Sequence, residues 1–294
     1  MDKLKSFYKS PEKDFTLLLG DTFKLLRKFD FKFNMIFADP PYFLSNGGIS
    51  VQSGKVVSVN KGKWDRSHGF EADNAFHKQW IELCRDKLTD DGTIWISGTY
   101  HNIFSVAQAL TELDFKILNV ITWAKTNPPP NLSCRYFTHS TEFVIWARKY
   151  KKVPHYYNYA LMKQINGGKQ MRDIWVMPAI ARWEKSCGKH PTQKPLALLT
   201  RILLASTRSG DWVLDPFTGA STTGIAASLT NRYFLGIEQE KDFLELSVRR
   251  RKEIEDRKIR DRYIKRLHDL SYVHPSNPCV FEQRSEYVTD IPWD

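Results

Sequence analysis

Apolar positions along the chain fall into short runs and helical stripes that alternate. Phe15–Leu19 is a short apolar run ending at Gly20-Asp21, and Phe23, Leu26 and Phe29 follow it with helical spacing. A second run, Phe33, Met35, Ile36, Phe37 and Ala38, leads directly into Asp39. Phe76, Trp80, Ile81, Cys84 and Leu88 form a helical stripe that stops at Asp90-Asp91-Gly92, and Thr93–Ser97 reads as the next strand. The same rhythm predicts a helix from Ile103 to Leu113, strands over Phe115–Trp123 and Glu142–Ala147, and a helix from Leu196 to Ser206. It ends with the strand Trp212–Asp215, a helix from Thr222 to Leu229 and the strand Tyr233–Glu238. Such β-α-β alternation predicts an α/β fold: a mostly parallel, twisted sheet with helices on both faces. A final helix is expected from Glu240 to Leu270, its apolar stripe at Ile259, Tyr263, Leu267 and Leu270 and its basic face toward phosphate or solvent.

Two stretches break the rhythm. Residues 44–75 are rich in Gly, Ser and Asn with interspersed Lys and no sustained period, which predicts a mobile surface loop. Residues 148–188 interleave Lys149, Lys151, Lys152, Lys169 and Arg172 with tyrosines, Trp175 and Trp183, an irregular basic and aromatic insert. Residues 271–294 close on IPWD with no assignable pattern.

Composition sharpens this picture. At 294 residues the chain suits one substantial domain with a smaller appendage. Its net charge of +11 favours a polyanionic partner, because Lys and Arg contacts to phosphate supply most non-specific nucleic-acid affinity. That charge is uneven: Arg249–Arg266 holds ten basic and four acidic residues, so 10 − 4 = +6 lies in one segment. No apolar run approaches the ~18 residues of a membrane span, and the first residues carry no apolar signal core, so a cytoplasmic location is expected. Cys84, Cys134, Cys187 and Cys279 show no C-x-x-C spacing, which predicts buried reduced thiols and neither a metal site nor a disulfide framework.

Two motifs carry chemistry. Asp39-Pro40-Pro41-Tyr42 stands at the carboxyl end of a buried strand, where open α/β sheets bind ligands. An aromatic exocyclic amine is a poor nucleophile because its lone pair is delocalised into the ring. The Asp39 carboxylate and the Pro40 carbonyl can accept both amine hydrogens and turn that lone pair toward an electrophile, while Tyr42 stacks on the base. Successive prolines fix φ and hold the acceptors ready. The second motif, Asp215-Pro216-Phe217-Thr218-Gly219-Ala220-Ser221-Thr222-Thr223-Gly224, is a strand, a tight turn and a helix start that lets a ligand approach the backbone. Glu238 follows 238 − 215 = 23 residues later, near the roughly 20-residue spacing of an acid that binds a ribose hydroxyl. The turn lacks the Gly-Lys-Ser of a phosphate loop, so a nucleoside cofactor without phosphates fits it better than NTP or NAD.

These blocks resemble the β class of DNA amino-methyltransferases, in which DPPY precedes the cofactor motif. The resemblance extends to Gly20-Asp21-Thr22, Trp95–Gly98, Asn119–Lys125, Arg135-Tyr136-Phe137 with Glu142, and Lys189–Pro195. It implies a Rossmann-like methyltransferase fold with circularly permuted motif order and S-adenosylmethionine as cofactor. The segments IFADPPYFLSNGGIS, TNPPPNLSCRYFTHST and GKHPTQKP are similar to the second, DpnA-type adenine-N6 methyltransferase of GATC-specific restriction-modification systems. By matching position, the resemblance places Asp21 and Thr22 near the cofactor's adenine and Thr218–Thr223, with Asp215 and Phe217, at the cofactor turn. It puts Glu238 at the ribose, with Lys194 in the helix-capping block beside it.

One departure stands out: where the family commonly has Gly-Ser-Gly, this chain has Gly219-Ala220-Ser221. If Ser221 must adopt positive φ, it carries about 1 kcal/mol of strain.

The reading divides the chain into a catalytic half (1–147), a target-recognition insert (148–188), a cofactor half (189–245) and a basic helix and tail (246–294). The expected partner is double-stranded DNA, single strands being left open, met by a monomer or homodimer. Its expected contacts are Lys55, Lys61, Lys63, Arg135, Lys149, Lys151, Lys152, Lys169 and Arg172. Cytosine N4 is the rival target, and an inactive DNA-binding homologue and an RNA or protein amino-methyltransferase are the rival classes. Methylation at cytosine C5 needs a nucleophilic Cys at a strand end, which the sequence lacks.

Overall fold

A computed structural model describes residues 4–43, 49–52, 55–58, 69–273 and 291–293. The apolar run Phe15–Leu19 forms β2, paired antiparallel with the short strand β1 (Tyr8–Lys9), and Phe33–Ala38 forms β3. Further along come β6 (Leu88–Gly98), β7 (Lys116–Lys125), β8 (Thr141–Arg148), β9 (Ile174–Met177), β10 (Trp212–Asp215) and β11 (Tyr233–Glu238). Among the described residues these nine strands make one sheet in the order β1-β2-β11-β10-β3-β6-β8-β7-β9. β2, β11, β10, β3 and β6 run parallel, as expected from their crossover helices. β8 runs antiparallel to both of its neighbours, β6 and β7, a direction that hydrophobic spacing does not encode.

The central strands are apolar throughout because both faces are covered. On one face Met35, Phe37, Val213 and Phe234 pack with α5 (Leu196–Ser206) and α6 (Thr222–Leu229). On the other, Ile36, Leu214 and Leu235 meet α2 (Phe70–Lys87) and α3 (Ile103–Glu112) through Trp80, Ile81, Val106 and Leu110. A methyl group on Gly224 would sit 2.5 Å from ring atoms of Phe15 and Phe234, so only glycine lets α6 lie flush on β2 and β11.

Several expectations are corrected. The segment 44–75 contains an antiparallel hairpin, β4 (Ile49–Gln52) with β5 (Lys55–Ser58), and from Phe70 it is already helix α2. The insert 148–188 is partly core: α4 (Tyr159–Ile165) buries Leu161, Met162 and Ile165, and β9 extends the sheet beside β7. β9 buries Trp175 and Met177 while exposing Ile174 and Val176, the period of two of a strand covered on one face. The C-terminal helix is two helices, α7 (Lys241–Glu253) and α8 (Arg257–Arg266), because the Asp256 carboxylate caps the second by accepting from the Lys258 and Ile259 amides. Arg250 and Arg251 in α7 face inward, Arg250 onto the Ala220 carbonyl and Arg251 onto Glu12 and Asp14, so part of the basic run is neutralised within the fold. Cys84 is buried, but Cys187 is only half-buried and Cys134 is exposed; Cys279 lies outside the described residues. Trp293 of the terminal IPWD is fully buried among Phe29, Phe31, Phe33 and Trp212. Among the described residues no helix is long and apolar enough to cross a membrane.

Candidate active site

The carboxyl ends of β2, β3, β10 and β11 open onto one cleft of about 280 Å³. Asp39, Pro40, Pro41 and Tyr42 line it from β3, Asp21 and Thr22 from the turn after β2, Asp215, Phe217, Thr218, Gly219, Thr222 and Thr223 from the β10–α6 turn, and Glu238 from β11. Lys194 enters from the residue before Pro195, which caps α5. Of the expected catalytic and cofactor residues only Ser221 is absent from the lining; it is fully buried behind the cleft.

Asp39 is the most heavily bonded group. Its Oδ1 accepts from the Tyr42 hydroxyl at 2.5 Å and from the Ser97 hydroxyl, and its Oδ2 accepts from Lys194 Nζ at 2.6 Å. Burial opposes its charge, but the Lys194 ammonium and these hydrogen bonds hold its carboxyl below the usual carboxylate range. Burial and the neighbouring Asp39 charge push the Tyr42 phenol well up. Lys194 is raised although burial alone would lower it, because Asp39, Tyr42 and Glu142 all favour its charged form. Behind it, Glu142 Oε2 lies 3.9 Å from Lys194 Nζ, and Lys125 Nζ holds Glu142 Oε1 at 2.5 Å.

Lys194 stands on Asp39 and shares the cleft with Glu238. Its neighbour α5 packs against Met35 and Phe37, which brings the residue preceding the helix to the end of β3. Ser97, Glu142 and Lys125 carry no role in the sequence reading, although each lies in a segment that the resemblance covers. No local signal shows that they converge on Asp39.

The second half of the cleft is a cradle. Gly219 has φ 50°, and a methyl there would lie 2.9 Å from His190 Nε2, so a side chain would close the floor. Glu238 Oε2 accepts from the Gly219 amide at 3.0 Å, and Oε1 from the Gln239 and Glu240 amides at 2.8 and 2.9 Å. A carboxylate has about four acceptor sites, so Glu238 retains capacity for a ribose hydroxyl. Asp215 accepts from Thr223 Oγ1 at 2.6 Å and from the Phe217 amide at 3.1 Å, and burial pushes its carboxyl up to about 7. Asp21 caps α1 (Thr22–Leu26) by accepting from the Lys24 amide at 2.9 Å while also lining the cleft, so it is both a turn residue and a cleft residue. The Thr22 hydroxyl ties α1 to the Pro216 carbonyl. Ser221 has φ 53°, the strained alternative.

The expected DNA contacts divide. Arg135, Lys152, Lys169 and Arg172 are exposed; Lys151 is exposed and paired with Asp114. Lys149 is withdrawn from the surface: it is buried, its Nζ donating to the Leu88 carbonyl at 2.8 Å, because the chain turns back over β6 just after β8. Lys61 and Lys63 lie outside the described residues, and Lys55 is described only as a backbone position in β5. Exposed aromatics flank Arg135: Tyr136, and Phe137 at 96% exposure. Tyr100, just beyond the end of β6, stacks on His139 at 4.8 Å, and Tyr136 lies 5.5 Å from that ring, so this surface adjoins the Asp39 edge of the sheet.

Comparison with known proteins adds an independent finding. Residues 33–249 match a family described as DNA methylase. The chain is 55% identical to the type II methyltransferase M2.MboI of Moraxella bovis over 86% of its length and 93% of the relative's. It is 57% identical to M2.DpnII of Streptococcus pneumoniae, over 80% and 88%. Among solved structures, the M1.HpyAVI–SAM complex superposes with a TM-score of 0.63 at 28% identity, over 80% of this chain and 98% of the other. The cytosine-N4-specific PvuII DNA methyltransferase superposes with a TM-score of 0.67 at 18% identity, over 90% and 95%, a likeness of fold alone.

Proposed function

Since this chain belongs to the DNA methylase family, we propose that it transfers a methyl group to adenine N6 within GATC, as the modification arm of a type II restriction-modification system. The cofactor is S-adenosylmethionine, which when bound supplies a sulfonium-activated methyl group as the electrophile. The Glu238 carboxylate holds the ribose hydroxyls, the Gly219 turn gives the backbone room, and Asp21, Thr22 and Phe217 border the adenine end. Asp39 would hold one amine hydrogen and the Pro40 carbonyl the other; as the N–C bond forms and the methyl–sulfur bond breaks, its electron pair returning to the neutral thioether, the N–H proton would pass to the Asp39 carboxylate and on to solvent. Ser97 and Tyr42 fix that carboxylate in place.

The target adenine reaches Asp39 only out of the base stack. The exposed Arg135-Tyr136-Phe137 corner is placed to meet the opened duplex, Phe137 by stacking and Arg135 at phosphate. Lys151, Lys152, Lys169 and Arg172 supply further phosphate contacts. The substrate is duplex DNA, single strands being left open, acted on in the cytoplasm by a monomer or homodimer.

The observation that carries the reading is that Asp39, held by three hydrogen bonds, shares one cleft with a Glu238 that retains acceptor capacity. The test is incubation with tritiated S-adenosylmethionine and duplexes containing GATC, a scrambled site, or GATC already methylated on adenine. Label in N6-methyladenosine from the unmethylated GATC duplex alone, abolished by Asp39→Ala, is the expected result. Label in N4-methylcytosine overturns the base assignment, and no label with any DNA overturns the activity.

A further inference from the structure

In the present arrangement each carboxylate oxygen of Asp39 is already engaged. Oδ1 takes the Tyr42 and Ser97 hydroxyls, and Oδ2 takes Lys194. Of these donors Lys194 and Tyr42 line the cleft and Ser97 lies behind it, so an incoming amine competes with Lys194 for Oδ2, the oxygen with an acceptor site left. Lys194 is nearly buried, so moving it away without a new partner would leave an uncompensated charge in a dry site.

One group is placed to receive it. Glu142 Oε2 is buried, accepts no hydrogen bond among the described residues, and lies 3.9 Å from Lys194 Nζ. Its other oxygen is pinned by Lys125, whose Nζ lies 5.1 Å from the Trp123 ring centroid, so the carboxylate cannot readily turn away. A shift of about 1 Å in the ammonium turns this gap into an ordinary hydrogen bond and vacates Asp39 Oδ2. Asp39, Lys194, Glu142 and Lys125 alternate in sign, so the shift leaves every charge paired.

We propose that Glu142 is a positioning residue, the berth that takes Lys194 when the substrate amine occupies Asp39. Lys194 is thereby a gate: it keeps Asp39 ionised while the site is empty and steps aside for the base. This rests on the reading that Asp39 receives the amine.

Two measurements test it. The first is a double-mutant cycle in single-turnover methyl transfer with Glu142→Gln, Lys194→Met and the double variant. Glu142→Gln, which keeps a hydrogen-bonding side chain but loses the charge, is expected to slow transfer about a hundredfold, the scale of an ångström-level misplacement. In the Lys194→Met background it is expected to add nothing, because there is no ammonium to receive. Glu142→Asp, which keeps the charge, is expected to recover most of the rate and carries the comparison if Glu142→Gln melts early. The second is equilibrium binding, without cofactor, of duplexes bearing adenine or unsubstituted purine at the target opposite an abasic site, so that neither base has a pair to break. Wild type is expected to prefer adenine and Glu142→Gln to lose that preference. An equal Glu142→Gln defect with and without Lys194, equal losses in Gln and Asp, or an unchanged adenine preference overturns the berth. A wild-type enzyme inactive on all DNA overturns the proposed activity instead.

Discussion

Ser221 offers a direct test of how the cofactor cradle is built. Its backbone is left-handed, φ 53° and ψ 41°, at the position where the family commonly has glycine. Its hydroxyl accepts from Thr218 Oγ1 at 3.0 Å and lies 2.8 Å from Ser247 Oγ, which also lies 3.0 Å from the Gly219 carbonyl. Serine thus brings strain of about 1 kcal/mol and a buried hydroxyl bridge worth about 1–3 kcal/mol when its partners are stranded. Ser221→Ala keeps the strain and loses the bridge, so it should cost about 2 kcal/mol. Ser221→Gly loses the same bridge but relieves the strain, less about 0.4–1 kcal/mol for the freer unfolded chain. Glycine should therefore match alanine or exceed it by up to about 0.6 kcal/mol, and both should be less stable than serine.

The assay is urea unfolding of the three proteins, with calorimetric titration of S-adenosylmethionine. The hydroxyl bridge braces the turn that presents the Gly219 amide to Glu238, so cofactor affinity should fall in both variants in the same order. Alanine more stable than glycine by about 0.4–1 kcal/mol, the difference expected of an unstrained position, would refute the strain. Glycine more stable than the wild type would refute the bridge as the reason serine is tolerated.

Other outcomes follow from the same structure. The Asp215 carboxyl is pushed up to about 7 by burial, so the folded chain holds a proton that the unfolded chain releases near 3.8. Its stability contribution is complete below about pH 4 and lost as pH rises through 7, so wild type should melt progressively lower relative to Asp215→Asn across that window; a pH-independent difference would refute it. Lys149→Ala should cost about 1–3 kcal/mol of stability in denaturant unfolding without changing the salt dependence of DNA binding. Lys169→Ala and Arg172→Ala should each reduce the slope of log affinity against log salt by about 0.9 and leave stability alone. Phe137→Ala should weaken duplex binding about tenfold in a titration, the scale of one lost base–aromatic stack. Trp293→Ala should lower stability by about 3–5 kcal/mol, read by thermal melting, because it empties the centre of an aromatic cluster.

The strand and helix order was legible because each central strand is covered on both faces and so reads as an unbroken apolar run. Strand direction was not, as β8 shows, because side-chain alternation is identical in parallel and antiparallel pairs. The insert 148–188 looked irregular because α4 has only seven residues and β9 four, too few for a period to emerge. Trp293 was opaque for a related reason: a single residue that crosses the fold to close an aromatic cluster leaves no periodic trace. The cleft fared better, since its residues sit at strand ends and in turns, where motif chemistry is local. Lys194 on Asp39 spans 155 positions and depends on how α5 lies on the sheet, which no spacing in the chain expresses.

The two aspartates at the ends of paired strands β3 and β10 show why that long-range contact matters. Asp215 is buried and Asp39 largely so, and desolvation alone would raise both. Asp39 has an ammonium at 2.6 Å and two hydroxyls, and its carboxyl is held down; Asp215 has one hydroxyl, one amide and, among the described residues, no paired cation, and is pushed up, the nearby Asp39 charge adding to the effect. Their environments therefore assign opposite states to identical side chains, the pattern by which paired acids divide their tasks. On the proposed mechanism the carboxylate that accepts amine hydrogens stays negative, while the one at the β10–α6 turn can hold a proton. If Lys194 alone sets that division, a methyltransferase of this design must solve the problem of keeping its lysine close enough to ionise Asp39 and movable enough to yield to the base. A second carboxylate at 3.9 Å meets both demands.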